Sequence, residues 1–222
     1  MRAYGSIVIL LAISVVICAK PSADDRGADA TPPENKLRRA QRYLSKSFSA
    51  KGAFRQDFIC DGPETDAIFT GTFEVKRKGR YRFTYTEPPG KLLISDGNHS
   101  FLYDKINNVV IVDTLSDELP AAFSRLLLGE AADGFTVEEL TGTEPNETDL
   151  SVFRLVPTSP HPVLRAVLLT LSDTPPYIRR ISIVDGGGCI IRTTLQKIEI
   201  DTGIPGRRFQ FTPPKSAILV TP

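Results

Sequence analysis

His99 and His161 are the only imidazoles in the 222-residue chain, and three cysteines complete its soft ligands and nucleophiles. Neither histidine stands in a Cys-His signature, so no cysteine has a general base prepared for it. No His/Cys/carboxylate cluster falls at metal-ligand spacing, and neither a nucleophile elbow nor a Walker loop is present. The run Asp185-Gly186-Gly187-Gly188 would cradle phosphate only if a helix followed; a strand pattern follows, so it reads as a turn. Asp96, His99 and Asp104 fall close together and are what remains for catalysis. The pairs Asp117-Glu118 and Glu138-Glu139 lie in polar loops or on strand ends and read as solvated surface. The expectation is a protein that is not an enzyme and has no metal and no cofactor.

The residues that do recur at useful spacing are aromatic. From Phe69 to Gly97 the chain reads as two adjacent strands with alternating faces. Gly71, Phe73, Val75 and Arg77 share one face, against Thr70, Thr72, Glu74 and Lys76. In the next strand Tyr81, Phe83 and Tyr85 oppose Arg80, Arg82 and Thr84. Each strand thus has an apolar inner side and a wet outer one. A preceding strand, Ala53 to Cys60, adds Phe54, Gln56 and Phe58 on one side. Taken alone, this aromatic set suits the filling of an ordinary sheet core. Arg77 has the parity of the greasy face; on the pattern alone it has left the strand and snorkels to water.

The elements around these strands are legible in outline. Leu37, Ala40 and Leu44 lie at helical spacing, with Arg38, Arg39, Arg42 and Lys46 opposite, so Leu37 to Ser47 reads as an amphipathic helix laid on a sheet and broken by Gly52. Short strands are expected at Lys91 to Ser95, His99 to Asp104 and Asn107 to Asp113. Pro120 suits a helix start, and Leu119, Phe123, Leu126 and Leu127 form a narrow apolar stripe ending at Gly129. Strands resume at Phe135, Ser151, Leu164, Tyr177 and Cys189, with a last one over Arg207 to Phe211. The sum is about ten strands and two helical segments, a mainly β (α+β) fold built as a curled antiparallel meander.

Composition sets the compartment. The chain is 41% apolar with a net charge of +1, enough for a full core and without an electrostatic case for nucleic acid. Arg2 and the apolar run Ile7 to Ile17 read as a signal peptide over residues 1–19, cleaved between 19 and 23. Residues 20–36, rich in Pro, Ala and Asp, read as a disordered leader, and 37–222 as a single domain. Lipidation at Cys18 is the rival to simple cleavage, although Ile17 is bulky for a lipoprotein signal. Export leaves Cys60 and Cys189 in an oxidising compartment, where they either bridge or stay as small buried hydrophobes.

The motifs taken in order resemble the LolA family of periplasmic lipoprotein carriers. The matching residues are Phe54-Arg55-Gln56, Val75-Lys76-Arg77, Tyr81-Arg82-Phe83-Thr84-Tyr85, Pro88 and Ser95-Asp96-Gly97. Phe101, Tyr103 and Asp104 follow, and Phe209-Gln210-Phe211-Thr212-Pro213-Pro214 closes the set. The likeness runs from Leu37 to Val220, and Lys78 stands where the family has Pro. It implies an incomplete β-barrel with helices as a lid over an apolar cavity. Phe54, Phe58, Phe73, Val75, Tyr81, Phe83 and Tyr85 would then line that cavity for acyl chains. Leu37 to Ser47 with Leu119, Phe123, Leu126 and Leu127 would be the lid, and Arg77 the latch that hydrogen-bonds it when closed. The implied function is a monomeric periplasmic chaperone for acylated lipoproteins. Its implied partners are an inner-membrane ABC-type releasing complex and a LolB-like outer-membrane acceptor. The alternatives are a LolB-like acceptor lipidated on Cys18, or an envelope enzyme.

Overall fold

The computed structural model describes residues 33–60, 67–114, 119–129, 134–140, 149–161 and 164–221. The expected signal peptide, Cys18, the leader up to residue 32 and Asp117-Glu118 lie outside these residues. Helix α1 runs from Pro33 to Leu44 and buries Leu37, Ala40 and Leu44. It begins four residues before the expected Leu37, since a proline in the first helical turn forfeits no intrahelical bond and has a suitable φ.

Strand β1, Ser49–Ile59, starts earlier than Ala53, and Gly52 lies inside it rather than ending the helix. The reason is contact. The register with the neighbouring strand slips between Lys51 and Ala53, and a Cβ at Gly52 would lie 2.7 Å from the Gln196 carbonyl oxygen and 2.9 Å from the Phe73 ring. There follow β2 (Ala67–Lys76), β3 (Arg80–Glu87), β4 (Lys91–Asp96), β5 (His99–Asp104) and β6 (Val109–Thr114). Helix α2 spans Leu119–Leu127. The second strand series is β7 (Phe135–Leu140), β8 (Leu150–Pro157), β9 (Leu164–Ser172), β10 (Ile178–Asp185) and β11 (Ile190–Ile200).

Two meanders therefore meet. With a short β12 (Ile218–Val220), the described strands form one open sheet in the order β12-β6-β5-β4-β3-β2-β1-β11-β10-β9-β8-β7. Its seam is the long antiparallel pairing of β1 with β11. The expected strand at Arg207 to Phe211 is not one. Gly206–Phe209 is a single 3-10 turn, led by Pro205, whose carbonyl accepts from the Arg208 N–H. Prolines 205, 213 and 214 cannot donate to a ladder, which removes the segment from the sheet. A short β12, Ile218–Val220, instead pairs in parallel with β6.

The segment before β12 covers the outer face. Arg208 holds the Glu74 carboxylate through Nε at 3.0 Å and Nη2 at 2.6 Å, and Lys76 Nζ donates to the Ile204 carbonyl at 2.8 Å. Phe209 is buried, and Phe211 stacks on Phe101 and Tyr103. On the inner face lie the helices and a single cluster of aromatic and aliphatic side chains.

Candidate functional site: an apolar cavity and the stretch held after the first helix

Phe54, Phe73, Val75 and Tyr81 are fully buried in the central cluster, packed as core. Phe83, Tyr85 and Phe58 differ. With Leu93, Phe123 and Ile191 they wall a cavity of about 190 Å³, to which Ile183, Gln56 and Thr193 also contribute. The aromatic set thus divides: three members face open volume and four fill solid interior. Phe54 sits edge-on to both Phe83 (5.6 Å) and Tyr85 (5.3 Å), propping the wall from behind. Phe123 of α2 meets Phe83 edge-on at 5.3 Å. Leu126 and Leu127 are buried below α2, and the side chain of Leu119 lies outside the described residues.

Five lining residues escaped the sequence reading. Gln56 shares the parity of Phe54 and Phe58, and Leu93 stands opposite Phe83. Both were within reach of an alternation argument. Thr193 and Ile191 are wall residues only because β11 lies beside β1, with Gln56 opposite Thr193 and Phe58 opposite Ile191; Ile183 follows on β10, opposite Ile191. No local pattern announces that pairing. It also aligns a polar chain in the wall, with the Tyr85 hydroxyl 3.2 Å from Gln56 Oε1 and Gln56 Nε2 donating to Thr193 Oγ1 at 3.1 Å. Burial pushes the Tyr85 phenol up to about 12, so it is a neutral donor at physiological pH.

Arg77 lies one residue past β2. Its Nε donates to the Ser47 carbonyl at 2.8 Å and its Nη2 to the Ser45 carbonyl, while its own N–H donates to the Phe48 carbonyl at 3.1 Å. The guanidinium carbon also lies 5.8 Å from the centre of the Phe48 ring. A planar fork of donors thereby holds the stretch that follows α1. Asp201, which no motif signalled, holds the same stretch from the other side, its carboxylate accepting from the Phe48 and Ser49 N–H groups. The turn behind Arg77 explains the family's missing proline: Lys78 sits at φ 66°, which a pyrrolidine ring cannot adopt.

The two helices touch where this stretch begins. A Cβ on Gly129, at the end of α2, would lie 2.8 Å from the Gln41 carbonyl oxygen and 2.9 Å from the Ser45 nitrogen. Beneath α1, Leu37, Ala40 and Leu44 pack with Leu155, Leu169 and Ile178 of the second meander.

The polar residues singled out for chemistry are occupied with backbone. The Asp96 carboxylate accepts from the Asn98 and His99 N–H groups, and Asp104 caps its turn through Ile106 and Asn107. For Asp96, partial burial pulls its affinity for protons up, but the backbone donors outweigh it and hold the carboxyl below its usual value. Asp104 is lowered by Asn107 first. His161 Nδ1 accepts from the Leu164 N–H. Among the described residues no three His, Cys, Asp or Glu side chains converge to hold a metal ion, and Glu138 and Glu139 stand on the edge strand β7. Cys60 and Cys189 are joined by a disulfide between the end of β1 and the start of β11.

Sequence comparisons agree with this geometry. The profile of the family described as outer membrane lipoprotein carrier protein LolA matches residues 45–212. An outer-membrane lipoprotein carrier protein of Alkalilimnicola ehrlichii is 28% identical, over 99% of this chain and 96% of that protein. One from Methylibium petroleiphilum is 27% identical, over 80% of this chain and 85% of that protein. Among solved structures, a LolA superfamily protein from Nitrosomonas europaea aligns with 82% of this chain and 99% of its own, at 11% identity and a TM-score of 0.44.

Proposed function

The chain belongs to the LolA family, and from that premise we propose that it is a periplasmic chaperone for lipoprotein acyl chains. It takes the chains of lipoproteins released from the inner membrane and delivers them to an outer-membrane acceptor. The observation that carries the reading is the apolar cavity walled by Phe58, Phe83, Tyr85, Leu93, Phe123 and Ile191 under α2. Transfer energetics give it a purpose. Each exposed CH₂ costs about 0.8 kcal/mol, so a lipid anchor of about forty such groups would cost on the order of 30 kcal/mol to carry naked through water.

The cavity at 190 Å³ is below the roughly 300–1,000 Å³ of ordinary ligand pockets. On this reading the molecule is in its closed, unloaded state. Loading requires the helices to lift from the sheet, and Arg77 and Asp201 act as the latch on the segment that would move. The chain carries no Walker loop, so the energy for loading is supplied by a partner, an ATP-driven releasing complex of the inner membrane. Delivery to a LolB-like acceptor is then downhill. Expression with its native signal and purification from the periplasm tests the proposal. Mass spectrometry should find an acylated protein bound, and a preparation that carries none while lipoproteins are being released would defeat the carrier reading.

A further inference from the structure

Three of the nine residues that wall the cavity are polar, and each stands on a strand: Tyr85 on β3, Gln56 on β1 and Thr193 on β11. The other six are apolar, so the three make one polar line in a greasy wall. Register aligns them. Gln56 and Thr193 are opposite each other across the β1–β11 ladder. Tyr85 lies a strand further off, opposite Gly71 of β2, where no side chain stands in the way of its ring.

Counting hydrogens shows what this line has left to give. The Tyr85 hydroxyl donates to Gln56 Oε1, and one Nε2 hydrogen of Gln56 goes to Thr193 Oγ1. The second Nε2 hydrogen and the Thr193 hydroxyl hydrogen have no acceptor among the described residues. Thr193 is only 2% exposed, so its hydroxyl is not turned to bulk water. Donors set this deep are satisfied when a bound molecule brings an acceptor. The chemistry of that acceptor is constrained. Pure hydrocarbon would leave the donors unmet, and a carboxylate would be buried in a wall without a counter-charge. A neutral carbonyl oxygen, able to accept two hydrogen bonds, meets both conditions.

We propose that Gln56 and Thr193 hydrogen-bond the ester carbonyl of a bound acyl chain, so that the cavity selects its cargo by linkage as well as by hydrocarbon. Tyr85, its hydrogen already spent, is a positioning residue that fixes which way the Gln56 amide faces. The inference rests on the carrier reading above. On that reading the donors also keep their places during loading, because they belong to the sheet and not to the helices.

The test gives the full mature chain two lipopeptides, a dipalmitoyl ester and its dihexadecyl ether analogue, alike except for the carbonyls. The unaltered protein should bind the ester about tenfold more tightly. Thr193→Val combined with Gln56→Leu should bring the ester-to-ether ratio within about twofold of unity, whereas Thr193→Ser, which keeps the hydroxyl, should hold the parental ratio. Thr193→Val alone keeps the side chain's shape and should lower the ratio about threefold, which serves where the double variant does not fold. Equal affinity of the unaltered protein for both probes overturns the proposal. So does a ratio that survives in the folded variants while only their melting temperature falls, since the polar line would then be structural. Binding of neither probe removes the carrier reading itself, and this proposal with it.

Discussion

At the scale of single residues, the proposed latch rests on two side chains, and a third reports on the cavity wall. Arg77 spans the carbonyls of Ser45 and Ser47, a geometry available to guanidinium and not to a point charge. Partly exposed hydrogen bonds of this kind contribute about 1–3 kcal/mol together, so Arg77→Leu should shift the closed-to-open balance roughly 5- to 150-fold. The leucine adds apolar surface, so cargo should be held longer, and transfer of a bound lipoprotein to acceptor should slow. Delivery at the unaltered rate would show that Arg77 does not latch anything. Asp201→Asn keeps an acceptor for the Phe48 N–H and should slow delivery less. Tyr85 gives a pH test. Its folded value of about 12 against an ordinary 10.0 means that the neutral phenol is favoured by folding. The associated stability is complete below pH 10 and is lost as pH rises from 10 towards 12. Tyr85→Phe should flatten stability in that alkaline window, measured by urea midpoints; an identical decline in both proteins would place the cause elsewhere.

At the scale of elements, the sequence was most readable where one face meets water and the other does not. Strands β2 and β3 alternate so regularly that Phe73, Val75, Tyr81 and Phe83 could be assigned inward, and the stripe Phe123, Leu126 and Leu127 gave α2. Boundaries set by contact with distant chain were not readable. Gly52 looked like a helix breaker because its true reason, the Phe73 ring and the β11 backbone against it, lies 21 or more positions away. The Arg207 to Phe211 stretch looked like a strand because Phe209 and Phe211 alternate, while the prolines around it had already taken it out of the ladder. Gly129 is the element-scale prediction. It holds φ +70°, and a methyl there would press on Gln41, Leu44 and Ser45 at the end of α1. Backbone strain alone costs about 1–2 kcal/mol. Gly129→Ala should therefore lower the melting temperature and speed amide exchange at Gln41 to Ser45, leaving the β1–β11 ladder protected. Unchanged exchange at those amides would mean that the helices do not brace each other.

At the scale of the whole sheet, the question is which joint moves and which must not. The chain builds its open sheet from two consecutive meanders, β1 to β6 and β7 to β11, and among the described residues only the β1–β11 ladder unites them within the sheet. That pairing was invisible in the sequence because it joins residues more than a hundred positions apart, and with it went Ile183, Ile191 and Thr193 of the cavity wall. The Cys60–Cys189 bridge, whose ends are 129 positions apart, fastens this seam next to Phe58 and Ile191. Chain-entropy reasoning gives a loop of that length a stabilisation of about 2–5 kcal/mol, the larger figures being those for long loops. The mechanical effect matters as much: on the carrier reading, a fixed seam would make the volume for cargo come from the helix side rather than from the strands parting. Replacing both cysteines by serine should lower the urea midpoint by the equivalent of that range and match unaltered protein treated with reductant. It should also accelerate loss of bound acyl chains, because the wall formed by Phe58 and Ile191 would fray. If the serine variant is destabilised but retains cargo as long as the parent, the bridge supports the fold alone and the seam is not what confines the chains.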